Sequence, residues 1–439
     1  MRESDHNRAP PERSSTDPAT VEKVKIRPFP YPYKAALAIC NDLDCITSFQ
    51  ELKAIHDVLN GRKETPCGPG LGLEIGDSFH FYSVHPEQDD SLSYFEGTGT
   101  KIAGHAAALR EGIEAGLLDT LHTWGNFSQK GGFFRRHAER ALKELDRYNL
   151  RVPVWTNHGD IHNFQNIGRS DSLGDLPARS SQRGDRSEVL EYHLDPTRRA
   201  GVRYVWVKEL TRIVGQERSL EPEDWLENGI NLGRNIIKGF LKRGQRAEVS
   251  HSLQISNKLL RPKTLRDGSI LYEMLRFGSF LQDGSDHLPE LLTVKNLRRL
   301  VETGGAMILY THLGKGRPSP EKPFSPESYS TLARLACRVS EGEIWVTTTA
   351  RLCRYVEMRQ RLKLDVVAEA EGAKATVSFK KMGDLPSPDL SGLTFYLSGA
   401  DRCELHINGE VFQLDKNPAD HTGEISFSMP IEPLQYCWE

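Results

Sequence analysis

Four apolar runs of the chain end in side chains able to do chemistry. Ala35–Cys40 runs into Asn41-Asp42-Leu43-Asp44, Leu117–Leu121 into His122-Thr123-Trp124-Gly125-Asn126, Val152–Trp155 into Thr156-Asn157-His158-Gly159-Asp160-Ile161-His162, and Met307–Thr311 into His312. In an α/β protein, reactive groups collect in the loops at the C-terminal ends of parallel strands, so these positions carry the most weight. Asp42 and Asp44 are spaced i, i+2. On an extended strand end both carboxylates can enter one pocket, where their repulsion calls for a cation or a shared proton. The same N-D-L-D string is also a good turn or helix cap. Histidines at three other run ends favour the first reading, because imidazole with carboxylate is the donor set of zinc-like divalent ions. His158 and His162 are four residues apart, but Gly159-Asp160 between them reads as a turn, so at most one of them reaches an ion. His80 reads as a residue inside a strand and receives no role.

Such groups need strands and helices to hold them. Between about Lys34 and Gln360, short apolar segments alternate with stretches of helical spacing, the order of a mainly parallel sheet or barrel. The strands expected are Ala35–Cys40, Ser78–Val84, Leu118–Thr123, Val152–Asn157, Val202–Val207, Ala306–Thr311 and Ile344–Thr347, with a weaker one at Ser269–Leu275. Helices are expected at Phe49–Leu59, Ile102–Ala115, Phe133–Tyr148, Trp225–Arg243, Val294–Thr303 and Pro326–Val339, the last opened by Ser325 as cap and Pro326 in the first turn. Gly168–Ser187 reads as a long surface loop, either a binding loop or an insertion without a role, and Gln245–Asp267 as an irregular stretch. After about Leu362 the pattern becomes alternating strands alone, with Asn408-Gly409 as a hairpin turn, an all-β and sandwich-like appendage.

Composition narrows the function. The 439 residues are 38% hydrophobic and 27% charged, with Lys+Arg 57 against Asp+Glu 60 and a net charge of -3. That balance argues against a nucleic-acid or anionic-membrane binder, which would carry a basic excess. No stretch approaches the roughly 18–20 apolar residues of a membrane span. Residues 1–27 are polar and read as a disordered leader without the apolar segment of a signal peptide. The seven cysteines are scattered and without CxxC spacing, which indicates neither a disulfide framework nor a zinc knuckle and fits the reducing cytoplasm.

In order and setting these motifs resemble the polysaccharide deacetylases, metal-dependent carbohydrate esterases. In that family the first strand ends in T-F-D-D-G or a D-x-D variant, which Asn41-Asp42-Leu43-Asp44 resembles. The second motif, H-x-x-x-H, follows a phrase like "EAGHEIGSH", and Ile113-Glu114-Ala115-Gly116 leading to His122 has the same cadence; Asn126 stands at the distal His. Asp77–Tyr82 is similar to the family's second strand, Leu309-Tyr310-Thr311-His312 to its late L-x-H motif, and Ile344–Thr348 to its closing strand. The R-x-P-x-G motif is absent, with Trp155–Gly159 in its place, and D-x-x-x-D-W has no counterpart.

The resemblance implies a distorted (β/α)7 barrel over residues 28–360, followed by the C-terminal β-sandwich-like domain at 361–439. It implies hydrolysis of an N-acetyl or other acyl group on a carbohydrate, with a divalent metal, zinc first and Mn, Co or Ni as alternatives. The metal would be held by Asp44, His122 and one of Asn126, His158 or His162. Asp42 would be the base and His312 the acid. Trp124, Asn157 and Arg276 are nominated for substrate, although a tryptophan at a strand end serves equally as core and an arginine equally as a brace. A glycoside hydrolase on a related barrel and an inactive carbohydrate-binding protein are the alternative readings.

Overall fold

The computed structural model describes residues 24–83, 91–127, 132–158, 164–169, 172, 174–175, 192–227, 229, 256–362, 366–371, 374–379, 390–407 and 409–439. The chain divides into two compact units, one of Pro28–Gln360 with Ile431–Glu439, the other of Met1–Arg27 with Arg361–Pro430.

The larger unit is organised by β1 (Ala35–Asn41), all seven of whose residues are buried. Such an unbroken apolar run belongs to a parallel strand covered on both faces. Its companions are β2 (Gly76–Phe79), β3 (Leu118–His122), β4 (Val154–Thr156), β5 (Tyr204–Trp206), β6 (Leu210–Thr211), β7 (Leu260–Thr264), β8 (Ile270–Met274), β9 (Arg276–Phe277), β10 (Ala306–Thr311) and β11 (Ile344–Thr347). The sheet runs β6-β9-β10-β1-β2-β3-β4-β5-β8-β7, with β11 also paired to β1. Every pairing is parallel except β7 with β8.

This is a mixed sheet in two partial curves, and it corrects the expected (β/α)7 barrel. Two strands that a barrel would carry through unbroken are interrupted. Between β5 and β6 the chain passes Lys208 at φ 66, and between β8 and β9 it changes neighbours at Leu275. The first halves, β5 and β8, pair with each other and with β4 and the antiparallel β7, and the second halves, β6 and β9, pair with each other, β9 also joining β10. β7, read from the sequence as part of an irregular stretch, has the alternating burial of an edge strand and contains Pro262, so no continuous apolar run marks it. On the other side β11 lies beside the start of β1, while β2 pairs only with its last two residues.

Helices cover the sheet: α1 (Phe49–Leu59), α2 (Ala106–Glu114), α3 (Arg135–Arg147), α4 (Leu194–Arg199), α5 (Val294–Thr303), α6 (Pro326–Ser340) and α7 (Thr349–Leu362). Ser48 caps α1 and Ser325 caps α6 through their hydroxyls. Of the expected helix at Trp225–Arg243, most lies outside the described residues. The last nine residues, assigned from sequence to the appendage, go with the larger unit: Trp438 packs edge-on against Phe49 and His56, and its indole donates to the Ala108 carbonyl at 3.0 Å.

In the smaller unit one seven-stranded path runs through Lys25–Ile26, Thr394–Tyr396, Ser426–Ser428, Glu410–Asn417, Arg402–Ile407, Lys374–Phe379 and Val366–Glu371. The pairing of Lys374–Phe379 with Arg402–Ile407 is parallel, and the others are antiparallel. Residues 25–26, placed in the leader from sequence, belong to this sheet; residues 1–23 and Asn408 lie outside the described residues. Among the described residues no helix is long and apolar enough to cross a membrane.

Candidate metal centre

The register of the sheet brings distant strand ends to one edge. Asn41 stands opposite both Thr311 and Asp77, Leu121 opposite Phe79, and His122 opposite Thr156. The residues that follow, His312, Asp42 to Asp44, His80 and His158, therefore emerge side by side with His122. Two of these turns use backbone that side chains seldom adopt: Cys45, after Asp44, has φ 66, and the β-branched Thr123, after His122, has φ 54. The Thr123 amide donates to the Thr156 carbonyl at 3.1 Å, which holds the turn. Gln165 clamps the next residues, its Oε1 accepting from the amides of Trp124 (3.0 Å) and Gly125 (3.2 Å) while its Nε2 donates to the Gly125 carbonyl at 2.9 Å.

Asp44, His122 and His158 each place one donor atom within 4.8 Å of the others, an arrangement able to hold a metal ion. The hydrogen-bond network assigns the ring protons. His158 Nε2 lies 3.2 Å from Asn126 Oδ1, which can only accept, so the proton is on Nε2. His158 Nδ1 then accepts from His122 Nε2 at 3.0 Å, and His122 is left with a lone pair at Nδ1. That atom faces Asp44 Oδ1 at 3.8 Å. Both are buried, and neither has a hydrogen-bond partner among the described residues. Burial, reinforced by the neighbouring imidazole, pushes the His122 pKa well below its ordinary value, and burial likewise lowers that of His158. Burial alone would raise the Asp44 carboxyl, yet hydrogen bonding from His312 and the surrounding imidazoles holds it well below the usual carboxylate range. Neutral imidazoles beside an ionised carboxylate are ready to ligate a divalent cation.

Two further pairs flank this group. Asp42, 1% exposed, receives Arg276 Nη1 on Oδ2 at 3.0 Å, while its Oδ1 has no partner among the described residues. The other arm of Arg276 donates to Thr156 Oγ1, and its guanidinium lies 4.3 Å from the Trp206 ring. His312 stands between two carboxylates, with Nε2 3.2 Å from Asp44 Oδ2 and Nδ1 2.9 Å from Asp283 Oδ2. Burial disfavours its imidazolium, but the two carboxylates prevail and raise its pKa to about 9.

The structure thus gathers Asp42, Asp44, His122, Asn126, His158 and His312 in one place, and His162 lies outside the described residues. Asn126 meets His158 through its side-chain oxygen. The nominated substrate contacts stand differently. Trp124 and Arg276 are 0% exposed and Asn157 1%. Trp124 donates its indole to Thr197 and His193, Asn157 bonds Trp155 and the Ile167 backbone, and Arg276 is engaged with Asp42 and Thr156. All three brace the site from within rather than offering a face to a ligand. Sequence reasoning passed over His80, Asp283 and Gln165. The first follows a strand directly, a signal hidden by extending that strand to Val84; nothing local marks the other two. No protein-family model matches the chain, and no curated protein matches it.

Proposed function

We propose that the larger unit is a metal-dependent hydrolase that removes an acyl group, N-acetyl in the first instance, from a carbohydrate, the chemistry of the polysaccharide deacetylases that its motifs resemble. The observation that carries the reading is the buried, partnerless pair of donors Asp44 Oδ1 and His122 Nδ1, 3.8 Å apart. A polar atom left unpaired in the interior costs about 1–3 kcal/mol, a cost that a bound cation removes. The nitrogen and oxygen donors suit zinc, with Mn, Co or Ni as alternatives. Asp44 and His122 would hold the ion, with His158 within reach. When bound, such an ion supplies Lewis acidity to an acyl carbonyl and to water.

The chain's own residues supply the proton transfers. Asp42, oriented by Arg276 through Oδ2, has Oδ1 free to take a proton from attacking water. His312, kept protonated by Asp283 and Asp44, can deliver one to the departing amine. The acyl C–N bond breaks as the C–O bond to water forms, and acetate and the free amino sugar leave. We place the substrate among nucleotide-linked, lipid-linked or free sugars of the cytoplasm, a reading supported by seven cysteines that are all unpaired.

The test is metal analysis together with acetate release from N-acetylated sugars. The expectation is about one tightly held divalent ion per chain, with turnover that Asp42→Asn abolishes while the ion stays. Stable absence of any ion after reconstitution, or an Asp42→Asn protein that deacylates normally, overturns the reading.

A further inference from the structure

His80 is 0% exposed, and neither ring nitrogen has a hydrogen-bond partner among the described residues. A neutral imidazole carries one N–H and one lone pair, and burying both unmatched is costly. The ring does not sit among apolar neighbours alone. Its Nε2 is 3.9 Å from Asp44 Oδ1, almost the distance at which His122 Nδ1 lies from the same oxygen. The His80 and His122 rings are 4.8 Å apart with planes only 18° from parallel. Two imidazole nitrogens, His80 Nε2 and His122 Nδ1, therefore face Asp44 Oδ1, and among the described residues none of the three atoms has a hydrogen-bond partner. Donor atoms about 2.1 Å from one tetrahedral zinc-like ion stand about 3.4 Å apart, so the 3.9 and 3.8 Å separations from Asp44 Oδ1 need to close by only about half an ångström on a common ion. His158 differs, since both its ring nitrogens are already bonded, one to Asn126 and one to His122.

We propose that His80 is a direct ligand of the metal ion, completing a three-donor set with Asp44 Oδ1 and His122 Nδ1, and that His158 acts from outside that set by fixing the His122 ring. The inference rests on the metal-centre reading above and goes beyond it in naming the third ligand. Local structure supports the role. β2 stops at Phe79, and the amides of Phe81 and Tyr82 both turn to the Trp124 carbonyl, at 3.0 and 3.2 Å. His80 is thereby set at the strand end, where ligands are expected, rather than within a ladder.

The experiment uses the full chain stripped with a chelator and titrated with Co2+, read by its visible absorption and by competition with a coloured chelator. Wild type should bind one Co2+. His158→Ala should weaken binding roughly 10–100-fold, the usual loss for an outer partner, and keep the wild-type absorption spectrum. His80→Ala should weaken binding more than His158→Ala does and alter the spectrum, as His122→Ala should. Far-UV circular dichroism of the metal-free proteins controls for folding, and His80→Gln replaces the alanine variant if that variant is unfolded. A folded His80 variant with wild-type affinity and spectrum overturns the assignment of His80 while leaving the metal centre standing. A wild-type chain that binds no Co2+ overturns the metal centre, and this inference with it.

Discussion

Arg276 and Asp42, 234 residues apart in the chain, meet at 3.0 Å with neither side chain more than 1% exposed. The arginine comes from a two-residue strand after the break at Leu275, and the aspartate from the end of the central strand. One charge therefore positions the other across the sheet.

Removing one partner of a buried pair leaves the other charge uncompensated, which typically costs about 3–5 kcal/mol. Arg276→Met should therefore destabilise the larger unit by about that much in urea unfolding. The double variant Arg276→Met with Asp42→Asn should recover part of the loss. Arg276→Lys should also be poorly tolerated, because one ammonium cannot serve Asp42 and Thr156 together while lying over Trp206. Additive single and double losses would show that the two residues act independently.

Asp283 touches His312 Nδ1 and does not touch the proposed ligands, so its role is positioning. His312→Gln should lower kcat for amide substrates by about 10²–10⁴, the usual contribution of a general acid, and Asp283→Asn should lower it less. Asp283→Asn should leave KM and Co2+ affinity near wild type. A change in KM alone would place Asp283 with substrate binding instead.

Gln165 makes three hydrogen bonds to the turn that carries His122 to Asn126. Gln165→Ala strips a partner from two buried amides, each at a cost of about 1–3 kcal/mol. The expected result is a lower melting temperature together with weaker Co2+ binding, because the His122 turn loses its clamp. Unchanged metal affinity in a destabilised variant would separate the turn from the site.

What the sequence discloses follows from how each residue is placed. Asp42, Asp44, His122, His158 and His312 lie at or just after the ends of short, fully buried and mostly apolar strands, and a buried parallel strand leaves that mark whatever its neighbours are. Their meeting depends on register, which apolar runs alone do not specify. His80 is concealed because Ser78–Val84 reads as one apolar strand, whereas its ladder halts at Phe79 where two amides turn to Trp124. Asp283 and Gln165 lie in irregular segments whose partners are distant, so no local spacing marks them, and Arg276, nominated for substrate, is instead held by an aspartate 234 residues away that no spacing discloses. The barrel expectation fails for a related reason: the breaks at Lys208 and Leu275 decide which strands pair, and neither is an apolar-pattern feature.

His193 supplies a pH dependence of stability that needs no ligand. It is 0% exposed, its Nε2 donates to the Gln165 carbonyl at 2.9 Å, and its Nδ1 accepts from Thr197 Oγ1 at 2.8 Å. Burial drives its pKa from 6.5 down to about 4. The folded state thus resists a proton that the unfolded chain accepts readily. Stability from this group is complete above pH 6.5 and is lost as pH falls through about 4. The loss amounts to about 3 kcal/mol at about 1.4 kcal/mol per pKa unit. His137, lowered to about 4 by burial and by Arg136 and Arg140, acts in the same direction. Urea unfolding across pH 7 to 4 should therefore show stability falling with acid, and His193→Gln, though less stable at pH 7, should fall less steeply by about one proton. A variant whose curve parallels wild type would show that His193 takes up its proton without unfolding the site, and that the neutral tautomer bonded to Gln165 is not what the fold requires.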